Sequence, residues 1–441
     1  MRADGTASQV EVVIVGAGQA GLAVSYYLRA FGVEHVVLER GRVGESWRSR
    51  WDSFTLVTPN WMNRLPGYQL TAGTAREFLP RDTAVGLLDG FARGLPVHTG
   101  TEVLSVEVGD RGYDVVTTEG RMSARAVVVA SGGQRRPVIP GLASALPADI
   151  HQTHAGHYRN PAALPPGVVL VVGSGQSGMQ IATDLVLGGR EVLLATSPVA
   201  RVPRRYRGRD CHEWGVELGL YDQPAETVSD PAEFGRPHPM LSGAHGGQTL
   251  AYQQLARDGV RLLGRLAGAD GHILSFGPEL PRNIQAADQG AEQFRRLVDE
   301  YVTRAGIAAP PPDTDPAERP GPASREAPRT LNARAERIST VLWCTGFGPD
   351  TGWLGVPVLR PDGAVEHARG VTAFPGLYVA GHPWLSNRGS GLLYGVATDA
   401  DRIAQHIAMD SHDRTRPAIL PSVPSAERQP SCPPVRCAWT G

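Results

Sequence analysis

Glu11-Val12-Val13-Ile14-Val15-Gly16-Ala17-Gly18-Gln19-Ala20-Gly21 is the stretch whose reading decides the fold. Residues 12–15 are a short β-branched apolar run, the composition of a strand buried on both faces. Gly16-x-Gly18-x-x-Gly21 follows at once, and residues 22–29 read as a helix. A pyrophosphate cradle requires that order: the first glycine makes the tight turn, the second admits a phosphate to the backbone, and the third lets helix pack on strand. The helix N-terminus then offers unpaired N–H groups and a partial positive charge to the anion. A second strand, 35–38, ends at Glu39, where a carboxylate accepts from the hydroxyls of an adenosine ribose. A glycine-rich turn in some other α/β unit has no need of helix, strand and acid in this register. The stretch reads as a dinucleotide site.

The same pattern returns further along. Residues 168–172 are apolar, Gly173-Ser174-Gly175-Gln176-Ser177-Gly178 follows, a helix is expected over 179–187, and the next strand over 191–195. Where the first unit ends in Glu39, the second ends in Thr196-Ser197, with Arg201, Arg204, Arg205 and Arg207 beyond. An acid there repels a 2′-phosphate, whereas hydroxyls and a guanidinium bind it. Ser197 and Arg201 are therefore expected to select NADPH over NADH; the later arginines fit a solvated surface as well. Two dinucleotide units in one chain suit the passing of electrons between a resident FAD and a transient NADPH. The fold class is α/β, with two Rossmann-like dinucleotide-binding domains.

Composition limits the alternatives. With 441 residues, two or three domains are expected, and 41% apolar residues suffices for buried cores. A net charge of −1 gives no field for nucleic acid or an anionic membrane. No apolar run has transmembrane length, and residues 1–9 lack the features of a signal peptide. The four cysteines, Cys211, Cys344, Cys432 and Cys437, make no CxxC pair, which argues against a dithiol centre or zinc ribbon. A cytoplasmic protein without a metal site is expected, with homo-oligomerisation left open.

Between the two loops lies Gly44-Glu45-Ser46-Trp47-Arg48, then Trp51 to Asn60. Flat apolar walls with a few fixed polar groups suit a bulky cofactor ring, although the tryptophans also fit plain packing. This segment resembles the flavin-containing monooxygenase family, whose first nucleotide motif is followed by a glycine-x-x-Trp-Arg element. His154-x-x-x-Tyr158 resembles the end of that family's fingerprint, with Ala148 and Ile150 where Phe and Gly are usual. Ala130-Ser131-Gly132 and Cys344-Thr345-Gly346 resemble its two domain crossings, and Leu377 to Gly381 its closing FAD strand, with His382 in place of the usual acid.

The resemblance covers roughly residues 10–408 and implies an NADPH domain inserted into a split FAD domain. FAD-binding segments are then expected at 1–159 and 336–410, and the NADPH domain at 160–335. A proline-rich surface insertion is read at 308–328 and a disordered tail at 411–441. FAD contacts are implied for Gly16, Gly18, Gln19, Ala20, Gly21, Glu39 and Arg40, for Trp47, Arg48, Val103 and Ala130, and for Thr345, Gly346, Gly381, His382 and Leu392. Leu392 falls in a helix expected to open at Gly389-Ser390-Gly391. NADPH contacts are implied for Gly173 to Gly178, Ser197 and Arg201. Asn60, following Pro59, is either a turn-forming residue beside a proline or, as the resemblance implies, the candidate catalytic residue, holding NADP⁺ over the flavin.

The implied activity is class B monooxygenation. NADPH reduces FAD, O₂ adds to give a C4a-hydroperoxide, and oxygen passes to a small amine or sulfur nucleophile. A Baeyer–Villiger oxygenase, an NADPH oxidase and a redox-sensing flavoprotein share the same parts. The histidines 151, 154 and 157 lack a carboxylate or cysteine companion, and Asp210-Cys211-His212-Glu213 reads as a helix face before a metal cluster.

Overall fold

The computed structural model describes residues 8–67, 75–321 and 327–412. The greater part of the 411–441 tail, with Cys432 and Cys437, lies outside them.

The run that opens the chain becomes the strand Ser8–Val15, central in a seven-stranded sheet. His35–Glu39 and Gly120–Val129 flank it in parallel, with Val13 opposite Val36 and Val127. The second half of Gly120–Val129 also pairs in parallel with Leu377–Val379, near the far end of the chain. Its first half belongs to an antiparallel meander with Gly112–Thr117 and Val103–Gly109, turned at Gly109-Asp110-Arg111-Gly112. One long strand thus serves both the nucleotide unit and the meander. Val12, Val13, Ile14 and Val127 to Val129 are fully buried, as a strand covered on both faces requires.

The second sheet has five parallel strands in the order Arg261–Leu263, Val192–Ala195, Val168–Val172, Ile338–Trp343, His151–His154. Two of them fall outside the expected 160–335 span, so this unit reaches from His151 to Trp343. The reason is steric and common to both units. The strand beside the glycine turn must end where that turn abuts it: Ala130 beside Gly16, and Cys344 beside Gly173.

Other corrections are local. The helices after the loops are Gln19–Ala30 and Gln176–Leu187, starting earlier than apolar periodicity suggests because Gly18 and Gly175 are themselves the N-caps. The last helix is Val396–His412; Gly389 to Gly395 forms turns before it, so Leu392 sits in a turn. The 26-residue helix Leu280–Ala305 was not foreseen. The described part of the proline-rich segment is no free loop. Asp313 accepts from the Arg207 N–H at 2.8 Å, Asp315 bonds the Thr249 hydroxyl, and Glu318 pairs with Arg201 at 2.5 Å.

The units join at a short antiparallel pair, Phe347 opposite Pro137 and Gly348 opposite Arg136. Residues 52–53 bind across the same join. The Asp52 N–H donates to Arg159 O (2.8 Å), Asn160 Nδ2 to the Asp52 carboxylate (2.7 Å), and the Ser53 hydroxyl to Asp184.

Candidate functional site

The glycines of each loop have three different surroundings. A Cβ on Gly16 would lie 2.6 Å from Ala130 O, and one on Gly173 2.5 Å from Cys344 O; both glycines have positive φ, 109° and 100°. A Cβ on Gly21 would lie 1.9 Å from Gly16 O, and one on Gly178 1.8 Å from Gly173 O. These four glycines are needed by the protein's own backbone. At Gly18 and Gly175 a Cβ meets nothing within 4 Å. Those two positions face space into which a ligand backbone fits, and each caps a helix with no side-chain cap bond, leaving its first N–H groups to an anion.

Before the first loop lies a cleft of about 990 Å³. Its walls include Gly16, Gly18, Gln19, Ala20, Glu39 and Arg40, together with Trp47, Val103, Ala130, Gly346, Gly381 and Leu392. These expected FAD positions come from both ends of the chain. Glu39 is 8% exposed, accepts from the N–H groups of Ala17 (2.9 Å) and Gly41 (2.8 Å), and keeps lone pairs for a ribose. Gln19 Oε1, Thr101 Oγ1 and Ser131 Oγ are buried against the cleft with no hydrogen-bond partner among the described residues. Polar atoms left so are costly unless a ligand satisfies them, and a flavin dinucleotide, with its diphosphate, ribityl hydroxyls and ring amide, fits that requirement.

Four expected FAD residues do not line the cleft. Gly21 acts by helix packing. Arg48 turns away to Asp89 and to Val43 O (2.8 Å). The Thr345 hydroxyl donates to Val138 O, tying the two crossings together. His382 lies beside Gly133, and burial next to His367 and Arg360 pushes its pKa down to about 4, so it is neutral at pH 7. Asn60 is also elsewhere: it is 4% exposed, starts the 3-10 turn Asn60–Met62, and its N–H donates to Glu77 O at 2.9 Å. The two tryptophans divide. Trp47 walls the cleft, while Trp51 is 3% exposed and packs edge-on against Phe54, near Tyr158.

The fingerprint pair holds the join. His154 Nδ1 accepts from the Gly156 N–H (3.1 Å), its Nε2 bonds Gly346 O (3.0 Å), and its ring meets Phe347 edge-on. The Tyr158 hydroxyl donates to Asp184. Burial lowers the pKa of His154 and raises that of Tyr158, keeping both neutral.

At the second loop, Ser174 is fully buried. Its Oγ accepts from the Ser197 N–H (2.7 Å) and bonds the Tyr252 hydroxyl (2.6 Å), so it shapes the turn. Gln176 reaches to Leu241 O at 2.9 Å. Gly175 is the glycine of this loop at which a Cβ would meet nothing within 4 Å, and Ser177 follows at half-buried exposure.

Arg201 needs correction. It is 3% exposed, with Nη2 2.7 Å from Asp288 and Nη1 2.5 Å from Glu318, which also pairs with Arg295. Arg204 pairs with Asp210 and Arg207 with Asp299. A guanidinium already neutralised by two carboxylates is not offered to a 2′-phosphate. Arg201→Ala is expected to cost about 3 kcal/mol of stability, because Asp288 and Glu318 lose their shared cation. The ratio of NADPH to NADH use should stay unchanged. Denaturant midpoints and flavin-reduction rates with each coenzyme check both halves.

Asp210, Cys211 and His212 do bring ligand atoms within 4.8 Å of one another. Both His212 nitrogens are engaged, Nδ1 with the Tyr221 hydroxyl and Nε2 with Val57 O (3.2 Å), while Asp210 caps the helix Cys211–Glu217. Burial pushes the Cys211 thiol up to about 12. The cluster is packing.

Sequence reasoning missed several walls of the cleft. Ser46 precedes Trp47 on the short helix Glu45–Arg48, and Arg50 follows in the turn that ends it, its N–H donating to Trp47 O at 3.1 Å. Phe234 to His238 come from the second unit and line the cleft beside Trp384, whose ring Phe234 meets edge-on at 5.5 Å. No local pattern marks that segment.

Comparison with known proteins agrees with this geometry. Residues 13–205 match the family described as pyridine nucleotide-disulphide oxidoreductase. The chain is 31% identical over 404 residues to a CzcO-like oxidoreductase of Geobacillus kaustophilus, covering 90% of this chain and 98% of that one. It is 28% identical to indole-3-pyruvate monooxygenase YUCCA1 of Oryza sativa subsp. japonica, over 92% and 93% of the two chains. Among solved structures, a flavin-containing monooxygenase from Stenotrophomonas maltophilia superposes with a TM-score of 0.57 at 21% identity, covering 92% of this chain and 99% of that one, a likeness of fold.

Proposed function

This chain belongs to the CzcO-like oxidoreductase family, and we propose that it is a class B flavin-dependent monooxygenase with FAD and NADPH as cofactors, placing one atom of O₂ on a small amine or sulfur nucleophile. The observation that carries this reading is the repeated loop build, with one ligand-facing glycine in each unit, Gly18 and Gly175. Two dinucleotides held by one chain suit hydride transfer between them, and FAD when bound supplies hydride acceptance and reaction with O₂.

The residues of the chain bind, orient and exclude water. Gly18 and the following helix N-terminus receive the diphosphate, and Glu39 the ribose. Trp47 gives a flat wall, and Phe234 with Trp384 closes the side nearest the second unit. Rings on that side would limit the entry of water that would divert reduced oxygen to peroxide. Cys211 is buried and Cys344 has its thiol pKa raised by burial, and neither lines the cleft, which favours oxygenation over disulfide reduction. Among the described residues no helix is long and apolar enough to cross a membrane; we read a cytoplasmic enzyme acting on small molecules.

A carbonyl substrate is the second reading, favoured by the rice relative, whose name gives indole-3-pyruvate. Turnover under ¹⁸O₂ with NADPH and a panel of small sulfides, tertiary amines and ketones tests both. Labelled sulfoxide or N-oxide supports the first reading, and labelled ester or acid the second. Complete conversion of O₂ to H₂O₂ with every substrate would reject oxygenation.

A further inference from the structure

Arg50 stands apart from the other cations of the cleft. Arg40 pairs with Glu102 and Asp350, Arg236 with Asp230 and Glu233, and Arg388 faces Glu233 at 3.8 Å. Among the described residues Arg135 makes no ion pair, yet Glu39, Asp350 and Glu45 still act on its charge. Among the described residues no carboxylate comes within ion-pair distance of Arg50, and burial alone shifts its pKa, downward. Its Nη2 donates to Gln134 Oε1 at 2.7 Å, and its Nε is buried with no acceptor among the described residues. The guanidinium lies 5.9 Å from the Phe54 ring centre and 5.5 Å from that of Phe347. Two rings and one neutral amide orient a cation there without neutralising it.

Desolvating an unpaired cation is costly, and proteins keep such groups paired or reserve them for a ligand. Arg50 also sits at the join of the two units, since Gln134 follows the first crossing and Phe347 the second. From this geometry we propose that Arg50 is an anion-binding residue of the flavin cleft, whose counter-charge arrives with the bound dinucleotide. Two parts of one ligand carry the required charge: the diphosphate, in either redox state, and the flavin ring once reduced.

The inference rests on the assignment of FAD to this cleft and not on what the enzyme oxygenates. Arg50→Met keeps the bulk over Phe54 and Phe347 and removes the charge; Arg50→Lys keeps the charge and loses the fork. Two readouts are taken on each: the dissociation constant of FAD on reconstitution of apoprotein, and the two-electron midpoint potential of the holoenzyme. A tenfold or greater weakening of FAD binding at unchanged potential supports the inference and assigns the charge to the diphosphate. A fall in potential of about 30 mV or more, one decade in the ratio of reduced to oxidised affinity, supports it and assigns the charge to the reduced ring. In either case Arg50→Lys should recover part of the loss. Unchanged affinity and potential in Arg50→Met would overturn it. Wild-type protein gives an answer that needs no variant to fold. Phenylglyoxal should modify Arg50 in apoprotein, and FAD should block it; equal modification with and without FAD would overturn the inference.

Discussion

Gly18→Val is expected to fold as the parent does and to purify colourless. The protein has room for the new side chain, since a Cβ at Gly18 meets nothing within 4 Å, and φ −82° with ψ −177° suits a branched residue. Replacing glycine by valine at an N-cap costs roughly 1 kcal/mol, too little to unfold a domain of this size. The loss falls on the ligand, because the side chain stands where a diphosphate meets the backbone. Gly21→Val is the contrasting variant. Its Cβ would overlap Gly16 O, with 1.9 Å between them, and neither backbone can yield, so protein should be lost together with flavin. Flavin absorbance per polypeptide, read beside a thermal melt of apoprotein, separates the two. Stoichiometric flavin in Gly18→Val would remove FAD from the first loop.

Gly175→Val should give the complementary result: a yellow enzyme that NADPH barely reduces. Its steric situation matches that of Gly18, so fold and flavin content should survive. The apparent affinity for NADPH should fall by about two decades, on the order of 3 kcal/mol. Anaerobic reduction at varied NADPH, with dithionite as the control for a competent flavin, measures this. Reduction by NADPH at the parental concentration dependence would show that the coenzyme does not use the second loop.

How far the chain was legible follows from the range of each interaction. Both glycine loops, their strands and Glu39 were readable because their requirements are local. A turn of positive φ, a close helix and a buried β-branched run are all specified within about a dozen neighbouring residues. The extent of the second unit was less legible, since His151–His154 is a polar four-residue strand with no apolar signal and Ile338–Trp343 a short apolar one, and the sheet each joins is chosen by partners far away.

Arginines were the least legible. Spacing after Val192–Ala195 made Arg201 a phosphate reader, yet its partner Glu318 lies 117 positions away, in a segment whose composition reads as loop. Arg50, unremarked between two tryptophans, lines the flavin cleft with no carboxylate at ion-pair distance among the described residues. Whether a charge is spent or free depends on which distant segment folds over it, as Phe234 to His238 fold over the cleft from the other unit. The sequence by itself determined two dinucleotide cradles and their order in the chain, because backbone geometry at a glycine is a property of neighbours. Only the tertiary structure decided which polar groups those cradles retain for a ligand, because Coulomb pairing and burial act between residues that periodicity never relates.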